Sequence, residues 1–456
     1  MNFDDTIAAV STPPGRGGIS VIRISGSDAV DIADKVFKNE YGKTIKNAKT
    51  HTITHGFAVD KDGTVIDEVL CSVMLAPRSY TREDTVEISC HGGLVSTKNT
   101  LSAILTAGAR LSEPGEFTKR AFLNGRMDLT EAEAVIDIIN AGTDTAHTLS
   151  VHQLKGRVSE AIAQVREKLL TLTAHLQVLI DFADEDLEPL SDSEYLESLK
   201  DCLNRIDTLI SSFERGRIVR EGVNTVIAGK PNVGKSSLLN LICGDERAIV
   251  TDIEGTTRDT ISENVCLGSV MLSLSDTAGI RETDDIVEKI GVDRARNVLN
   301  DAELVLLMLD AAKPLEDCDR EIMESVKHKK VIVLVNKSEK GIAFDKSEID
   351  FDNVIDFSVK TGMGLSELED TVSRMFSVGE IGTDDSAIIT NIRHRDALQK
   401  AREALYSAVS AIDMGIEANM TFIDIENAIT HLGEITGQTV AEEIVDKIFH
   451  SFCVGK

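Results

Sequence analysis

The sequence predicts a multidomain protein with three parts: an N-terminal α+β domain, a central all-α region, and a parallel α/β domain inserted into that region. Three observations carry this. The chain has 456 residues, which exceeds one compact core and implies two to four domains. Residues 128–215 contain a single proline, Pro189, and repeat apolar residues at helical spacing. From Asn224 onward, short β-branched runs alternate with helical stretches, the rhythm of a parallel sheet wrapped by helices.

Each element follows in order. Within the first 120 residues, ISVIRIS, HTITHGFAV, EVLCSVML and TVEISC read as strands between helices and glycine-rich turns. LTEAEAVIDIINA and VSEAIAQVREKLLTLTAHLQVLIDF then read as long, mutually packed helices, with an acidic loop starting at Asp181. The inserted part runs through NTVIAG, a helix from Lys235, SVMLSLSD, a helix near Val287–Leu299, ELVLLMLD, KVIVLVN, NVIDFSV and a helix near Gly364–Phe376. A linker, GEIGTDDS, precedes further helices from Ile389. The expected domains are therefore 1–120, then 121–217 with 380–456, and the insertion at 218–379.

Composition narrows the functional classes. Hydrophobic residues make up 42% and charged residues 27%, ordinary values for a globular chain. No apolar run reaches the roughly 18 residues of a membrane span, and the start, MNFDDTIAAV, lacks a signal-peptide layout. A cytoplasmic protein with no membrane association is expected. Seven cysteines, an odd number without any CxxC, argue against a disulfide framework or zinc site. His51 and His55 in HTITH should share one face of a strand, but no carboxylate completes a metal motif. The net charge is −28, yet residues 1–126 hold fifteen basic and fifteen acidic residues. All the acidic excess lies beyond, so the N-terminal part is the better surface for an anionic ligand.

The insertion carries the chemistry. GKPNVGKS, Gly229–Ser236, fits GxxxxGK[ST] between an expected strand and helix. Asn232, Val233, Gly234, Lys235, Ser236 and Ser237 would cradle phosphates, with Lys235 on the β/γ oxygens and the Ser236 hydroxyl on magnesium. A switch loop, Thr251, Asp252, Ile253, Glu254, Gly255, Thr256 and Thr257, follows, and Thr257 is the second magnesium ligand. Asp276, Thr277, Ala278 and Gly279 come after an apolar strand; Asp276 can reach magnesium through water. Asn336, Lys337 and Glu339 read guanine, and Ser358, Val359 and Lys360 close over the base. Four motifs in this order, each ending a strand, indicate a Ras-like GTPase. Glu339 stands where an aspartate is usual, so an extra methylene must be accommodated. Ile280 stands where a water-orienting glutamine is common, and it cannot serve that role. Glu288 is the carboxylate expected to orient the water; the bland alternative is a solvated residue in a helix.

At this point the chain resembles the MnmE (TrmE) family of bacterial tRNA-modification GTPases over its full length. STPPGRGGISVIRISG, HGG, EPGEFTKRAFLNGRMDLTEAEAVIDII, GKPNVGKS, TDIEGTTRD, DTAGIRE and the terminal CVGK carry the resemblance. It implies an N-terminal folate-binding domain, a helical domain and an inserted G domain, in a homodimer formed through the N-terminal domains. It implies a flavin enzyme partner, MnmG, in a heterotetramer that modifies C5 of the wobble uridine (U34) of certain tRNAs, adding a carboxymethylaminomethyl or aminomethyl group. The carbon would come from a 5-formyl or 5,10-methylene tetrahydrofolate. The resemblance further implies potassium ligands at Asn232, Thr251, Ile253 and Thr256, potassium-dependent G-domain pairing, and Glu288 as the catalytic residue. Folate binding would fall to Arg23, Glu87, Arg126 and Lys456. A carboxylate suits the amidine-like pterin edge, and Arg and Lys suit the glutamate tail. Arg126 keeps the charge of a lysine common there but with different geometry. Cys453 is either a reactive thiol beside Lys456 or a packing residue.

Two other classes share the G motifs. A ribosome-assembly GTPase leaves the N-terminal domain and CVGK without a role. A transport GTPase calls for membrane segments. The modification state of wobble uridines after gene deletion separates these readings.

Overall fold

The computed structural model describes residues 5–39, 44–181, 191–244, 263–274, 299, 301–376 and 386–456. They form two compact units, Met1–Ile136 with Ile429–Lys456, and Asp137–Ala428.

The first unit is built on seven strands: β1 (Ile7–Val10), β2 (Ile19–Ser25), β3 (Phe37–Asn39), β4 (Thr52–Val59), β5 (Val65–Met74), β6 (Thr85–His91) and β7 (Arg110–Leu111). Their order is β3-β4-β5-β6-β2-β1-β7, antiparallel except for β1 with β7. Period-two alternation sorts the faces. Ile22 and Ile24 of β2 and Ile88 of β6 go to the core, while Arg23 and Glu87 point the other way. Helices α1 (Ala29–Val36) and α2 (Leu94–Thr106) supply Ile32 and Ile104 to that core.

Helices α3 (Glu116–Leu123) and α4 (Leu129–Asn140) follow, and the late helix Glu442–Phe449 belongs to the same unit. Leu129, Ala132, Phe449 and Phe452 form a shared apolar cluster. The last residues are stitched to the sheet side. Val454 bridges Pro114, and Ser11 donates to the Gly455 carbonyl at 3.0 Å. Gly455 has φ 92°, and a Cβ there would lie 2.1 Å from the Val10 carbonyl oxygen, so only glycine fits.

In the second unit, α5 (Asp144–Leu154), α6 (Arg157–Asp181), α7 (Asp192–Ser211) and α8 (Phe213–Glu221) precede the sheet. A capping box at Ser191 and Glu194 starts α7. The helix Ile392–Asp413 packs along α7, burying Leu398, Ala401 and Leu405. The sheet holds β8 (Val223–Ala228), β9 (Glu263–Leu267), β10 (Val270–Leu274), β11 (Leu304–Asp310), β12 (Lys330–Asn336) and β13 (Val354–Asp356). Its order is β13-β12-β11-β8-β10-β9. Helix α9 (Lys235–Ile242) follows β8. β11 and β12 are buried on both faces, as continuous apolar runs require.

Two differences from the sequence reading stand out, and one expectation falls outside the described residues. The sheet is not wholly parallel: β9 forms an antiparallel hairpin with β10 through Gly268–Ser269, with Gly268 at φ 61°. His51 and His55 do not share a strand face. A turn ends the chain's approach to β4, so His51 sits at φ 61° against the Thr50 hydroxyl, while His55 pairs with Glu68 at 2.7 Å. The expected helix near Val287–Leu299 lies, apart from Leu299, outside the described residues. Among the described residues, no helix is long and apolar enough to cross a membrane.

Candidate functional site

The phosphate loop leaves β8 at Gly229 and enters α9 at Lys235. Its shape demands glycine at two positions. Gly229 has φ 142°, and a Cβ would lie 2.5 Å from the Met308 carbonyl oxygen. Gly234 has φ 110°, and a Cβ would lie 2.6 Å from Asn336 Nδ2. Asn232 also adopts a left-handed backbone, φ 63°, which asparagine tolerates better than most residues. The loop thus presents the N-terminus of α9, where backbone N–H groups and the helix dipole favour an anion.

Lys235 sits half-buried over this loop. Its Nζ donates to the Gly229 carbonyl at 2.5 Å and the Lys230 carbonyl at 3.0 Å. Burial holds its pKa below the usual lysine range. An ammonium held on neutral carbonyls gains from an anion placed beside it. Lys230 anchors the loop from behind through Asp319 at 2.6 Å and Glu316 at 2.9 Å. Asp319 raises the Lys230 pKa.

The residues expected to read the base gather at the ends of β12 and β13. Asn336 is buried; its Nδ2 donates to the Val233 carbonyl at 2.7 Å, and its Oδ1 accepts from Val359 N–H at 3.1 Å. One side chain therefore joins the phosphate loop, β12 and the Ser358–Lys360 loop. Lys337, at φ 64°, pairs with Asp310 at 2.6 Å and reaches the Asn232 carbonyl at 3.4 Å. Glu339 is exposed in a short turn, where the Ser358 hydroxyl holds its carboxyl below the usual range. Ser358 is fully buried, while Lys360 is exposed.

The structure thus brings together Asn232, Val233, Gly234, Lys235, Ser236, Ser237, Asn336, Lys337, Glu339, Ser358, Val359 and Lys360. Thr251, Asp252, Ile253, Glu254, Gly255, Thr256, Thr257, Asp276, Thr277, Ala278, Gly279 and Glu288 lie outside the described residues. Sequence reasoning missed Asp310, Asp319 and Lys230. An aspartate ending LVLLMLD was a visible signal for Asp310; nothing local marked Asp319 as the partner of Lys230.

A second site occupies the first unit. Arg23 and Glu87 are direct cross-strand partners on β2 and β6, joined at 2.8 Å. The Arg23 guanidinium lies 4.9 Å from the Tyr80 ring centroid, and that of Arg126 lies 4.6 Å from the same ring. Arg126 also donates to the Tyr80 carbonyl at 2.7 Å, and the Tyr80 hydroxyl meets Thr118 at 2.9 Å. Arg23, Glu87 and Arg126 line one open cavity of about 730 Å³. Lys456 does not line it. Its main-chain oxygen accepts from Phe117 N–H at 3.1 Å, in the first turn of α3. Cys453 has an exposed side chain, and its carbonyl accepts from Gly115 N–H at 3.3 Å.

A strand-loop-helix phosphate cradle, latched by a buried asparagine to the Ser358–Lys360 loop, defines a phosphate-binding-loop GTPase. The chain is 48% identical over 457 residues to the tRNA modification GTPase MnmE of Thermoanaerobacter pseudethanolicus, covering 99% of both chains. It belongs to the MnmE family of tRNA modification GTPases. Identity is 45% to the proteins of that name from Acetivibrio thermocellus and Clostridioides difficile, over 461 and 460 residues and 100% of each chain. Residues 129–453 match the model of the MnmE helical domain, and residues 6–126 that of the N-terminus of GTP-binding protein TrmE. Among solved structures, the G domain of the T. maritima FeoB iron transporter aligns with 34% of this chain and 98% of its own, at 25% identity and a TM-score of 0.26.

Proposed function

We propose that this GTPase works on certain tRNAs with a flavin-dependent MnmG-type partner, installing a carboxymethylaminomethyl or aminomethyl group at C5 of the wobble uridine. The assembly is a heterotetramer built on a homodimer, in the cytoplasm. The functional parts are a folate-binding domain at 1–120, a helical domain at 121–217 with 380–456, and a G domain at 218–379; these bounds cut across the compact units, since residues 429–456 pack with the first. The carrying observation is the Arg23–Glu87 pair facing a cavity with Arg126. Its carboxylate fits a pterin edge and its guanidinium groups fit a glutamate tail, as a tetrahydrofolate derivative requires. Lys456, close to Phe117 at the edge of this region, is a further candidate for the tail.

Hydrolysis falls to the other unit. Lys235 leaves its loop carbonyls for the β/γ oxygens of GTP. Glu288 orients a water whose oxygen attacks the γ-phosphorus while the bond to the β–γ bridging oxygen breaks, releasing GDP and phosphate. The exposed Ser236 hydroxyl at the start of α9, with Thr257, fits magnesium. Asn232 fits potassium: its side chain is exposed on the loop and, among the described residues, makes no hydrogen bond. Thr251, Ile253 and Thr256 complete that set. A monovalent cation there supplies positive charge beside the phosphates, favouring G-domain pairing and the developing charge.

GTP hydrolysis is expected to be roughly a hundredfold faster in potassium than in sodium, with Asn232→Ala losing the difference. Equal rates in the two salts would remove the potassium assignment. Loss of wobble-uridine modification on gene deletion, restored by this chain, tests the tRNA role.

A further inference from the structure

Four arginines line the cavity of the first unit, Arg23, Arg78, Arg82 and Arg126, against one carboxylate, Glu87. Their bonding divides them into two pairs. Arg23 is compensated by Glu87 at 2.8 Å, and Arg126 is fixed against Tyr80. Arg78 and Arg82 are exposed, and among the described residues neither forms an ion pair. Arg82 meets only a neutral acceptor, the Asn124 carbonyl, at 3.0 Å. It does so from a left-handed backbone at φ 61°, which a bulky side chain rarely adopts. Arg126 also has no carboxylate partner among the described residues, but its guanidinium is stacked on the Tyr80 ring; Arg78 and Arg82 are the two further cations beside the candidate folate residues. They are not part of a generally basic surface, because residues 1–126 balance fifteen basic residues with fifteen acidic ones.

We infer that Arg78 and Arg82 receive the carboxylates of an oligo-γ-glutamate tail, so that the site selects folates bearing several glutamates over the monoglutamate. This rests on the folate reading above. Each added γ-linked glutamate brings one more free carboxylate, and the head and first glutamate already engage Glu87, Arg23 and Arg126. RNA is the poorer occupant. A polynucleotide needs an extended cationic stripe, whereas these arginines cluster around one cavity of about 730 Å³. Two exposed ion pairs together amount to about a tenfold gain in affinity, screened by salt.

The test is titration of the full chain with 5-formyl-tetrahydrofolate as monoglutamate and as pentaglutamate, at low and high ionic strength. The pentaglutamate is expected to bind about tenfold tighter at low salt, with the ratio shrinking at high salt. In Arg78→Gln/Arg82→Gln the ratio should fall towards one. Equal binding of the two folates by the unaltered chain would overturn the inference while leaving the folate reading intact. Binding of neither would overturn the folate reading and the inference with it. If the double variant keeps the wild-type ratio but loses tRNA affinity, the arginines serve RNA and the inference is wrong. The unaltered chain alone decides the matter if the double variant does not fold.

Discussion

Asn336, at the end of β12, ties in the phosphate loop by donating an Nδ2 hydrogen to the Val233 carbonyl at 2.7 Å. Its Oδ1 accepts from Val359 N–H, so one buried amide fixes three segments. Asn336→Ala leaves both partners short inside the protein. The expected loss is about 2–3 kcal/mol of stability and more than about tenfold in GTP affinity. Thermal melts and titration with a fluorescent GTP analogue read both. Unchanged affinity would show that the latch does not shape the site.

Gly234 is the other half of the same constraint. A Cβ there would lie 2.6 Å from Asn336 Nδ2, at a φ of 110°. Gly234→Ala is expected to weaken GTP binding by roughly ten- to a hundredfold, from about 1–3 kcal/mol of strain. Removing the Asn336 side chain relieves the clash. The alanine at 234 should therefore cost less in an Asn336→Ala background, giving non-additivity in a double-mutant cycle. Strict additivity would mean that backbone strain alone decides the outcome.

Acid should weaken the first unit. Arg120 is fully buried and pairs with Asp5 at 2.7 Å, Glu116 at 3.0 Å and Glu83 at 3.3 Å. Burial pushes the Glu116 carboxyl up, but Arg110, the Glu113 N–H and Arg120 outweigh it, and its pKa lies below the usual 4.5. Asp5 is lowered from 3.8 in the same way: burial raises it, and Arg110 and Arg120 more than offset that. Folded pKa values below the unfolded ones mean stability that is complete above about pH 4.5 and lost as pH falls through the depressed values. Glu116→Gln should cost about 3 kcal/mol at neutral pH and flatten the acid limb of a Tm-against-pH curve. An unchanged acid limb would assign that loss to other carboxylates.

Phe449 is about 1% exposed and lies in the cluster with Leu129, Ala132 and Phe452. Phe449→Ala should cost about 3–5 kcal/mol. Proteolysis is expected to open sites within residues 1–136, although the substitution lies more than 300 residues away in sequence. Protection of that segment equal to wild type would argue that it is stable without the late helix.

Much of this was legible in sequence because the signals were local. LVLLMLD and KVIVLVN read as central parallel strands because both faces are buried, and GKPNVGKS carried its own glycines. Arg23 and Glu87 were singled out only by the family resemblance; the alternation of ISVIRIS and TVEISC puts them off the core, but nothing in either run announced that they pair. Long-range partners stayed hidden for a physical reason: a side chain's own neighbours do not encode what packs on it. Lys230 with Asp319 and Asp310 with Lys337 are of this kind. HTITH misled because alternation continues through Thr50–His51, where the backbone turns left-handed and ends the strand. Lys456 was expected among the cavity residues, yet it meets α3 through its main chain instead.

The clasp of Gly455 against Val10 has a consequence for the order of events at the ribosome. The first unit is closed by residues 429–456, with the whole second unit encoded in between. Residues synthesised first must wait, with Leu129 and Ala132 uncovered, until the last helix emerges. The second unit is contiguous and can mature earlier. Domains ordinarily complete from the N-terminus onward during synthesis; here that sequence is reversed, and the unit carrying the arginine-lined cavity is the last to finish.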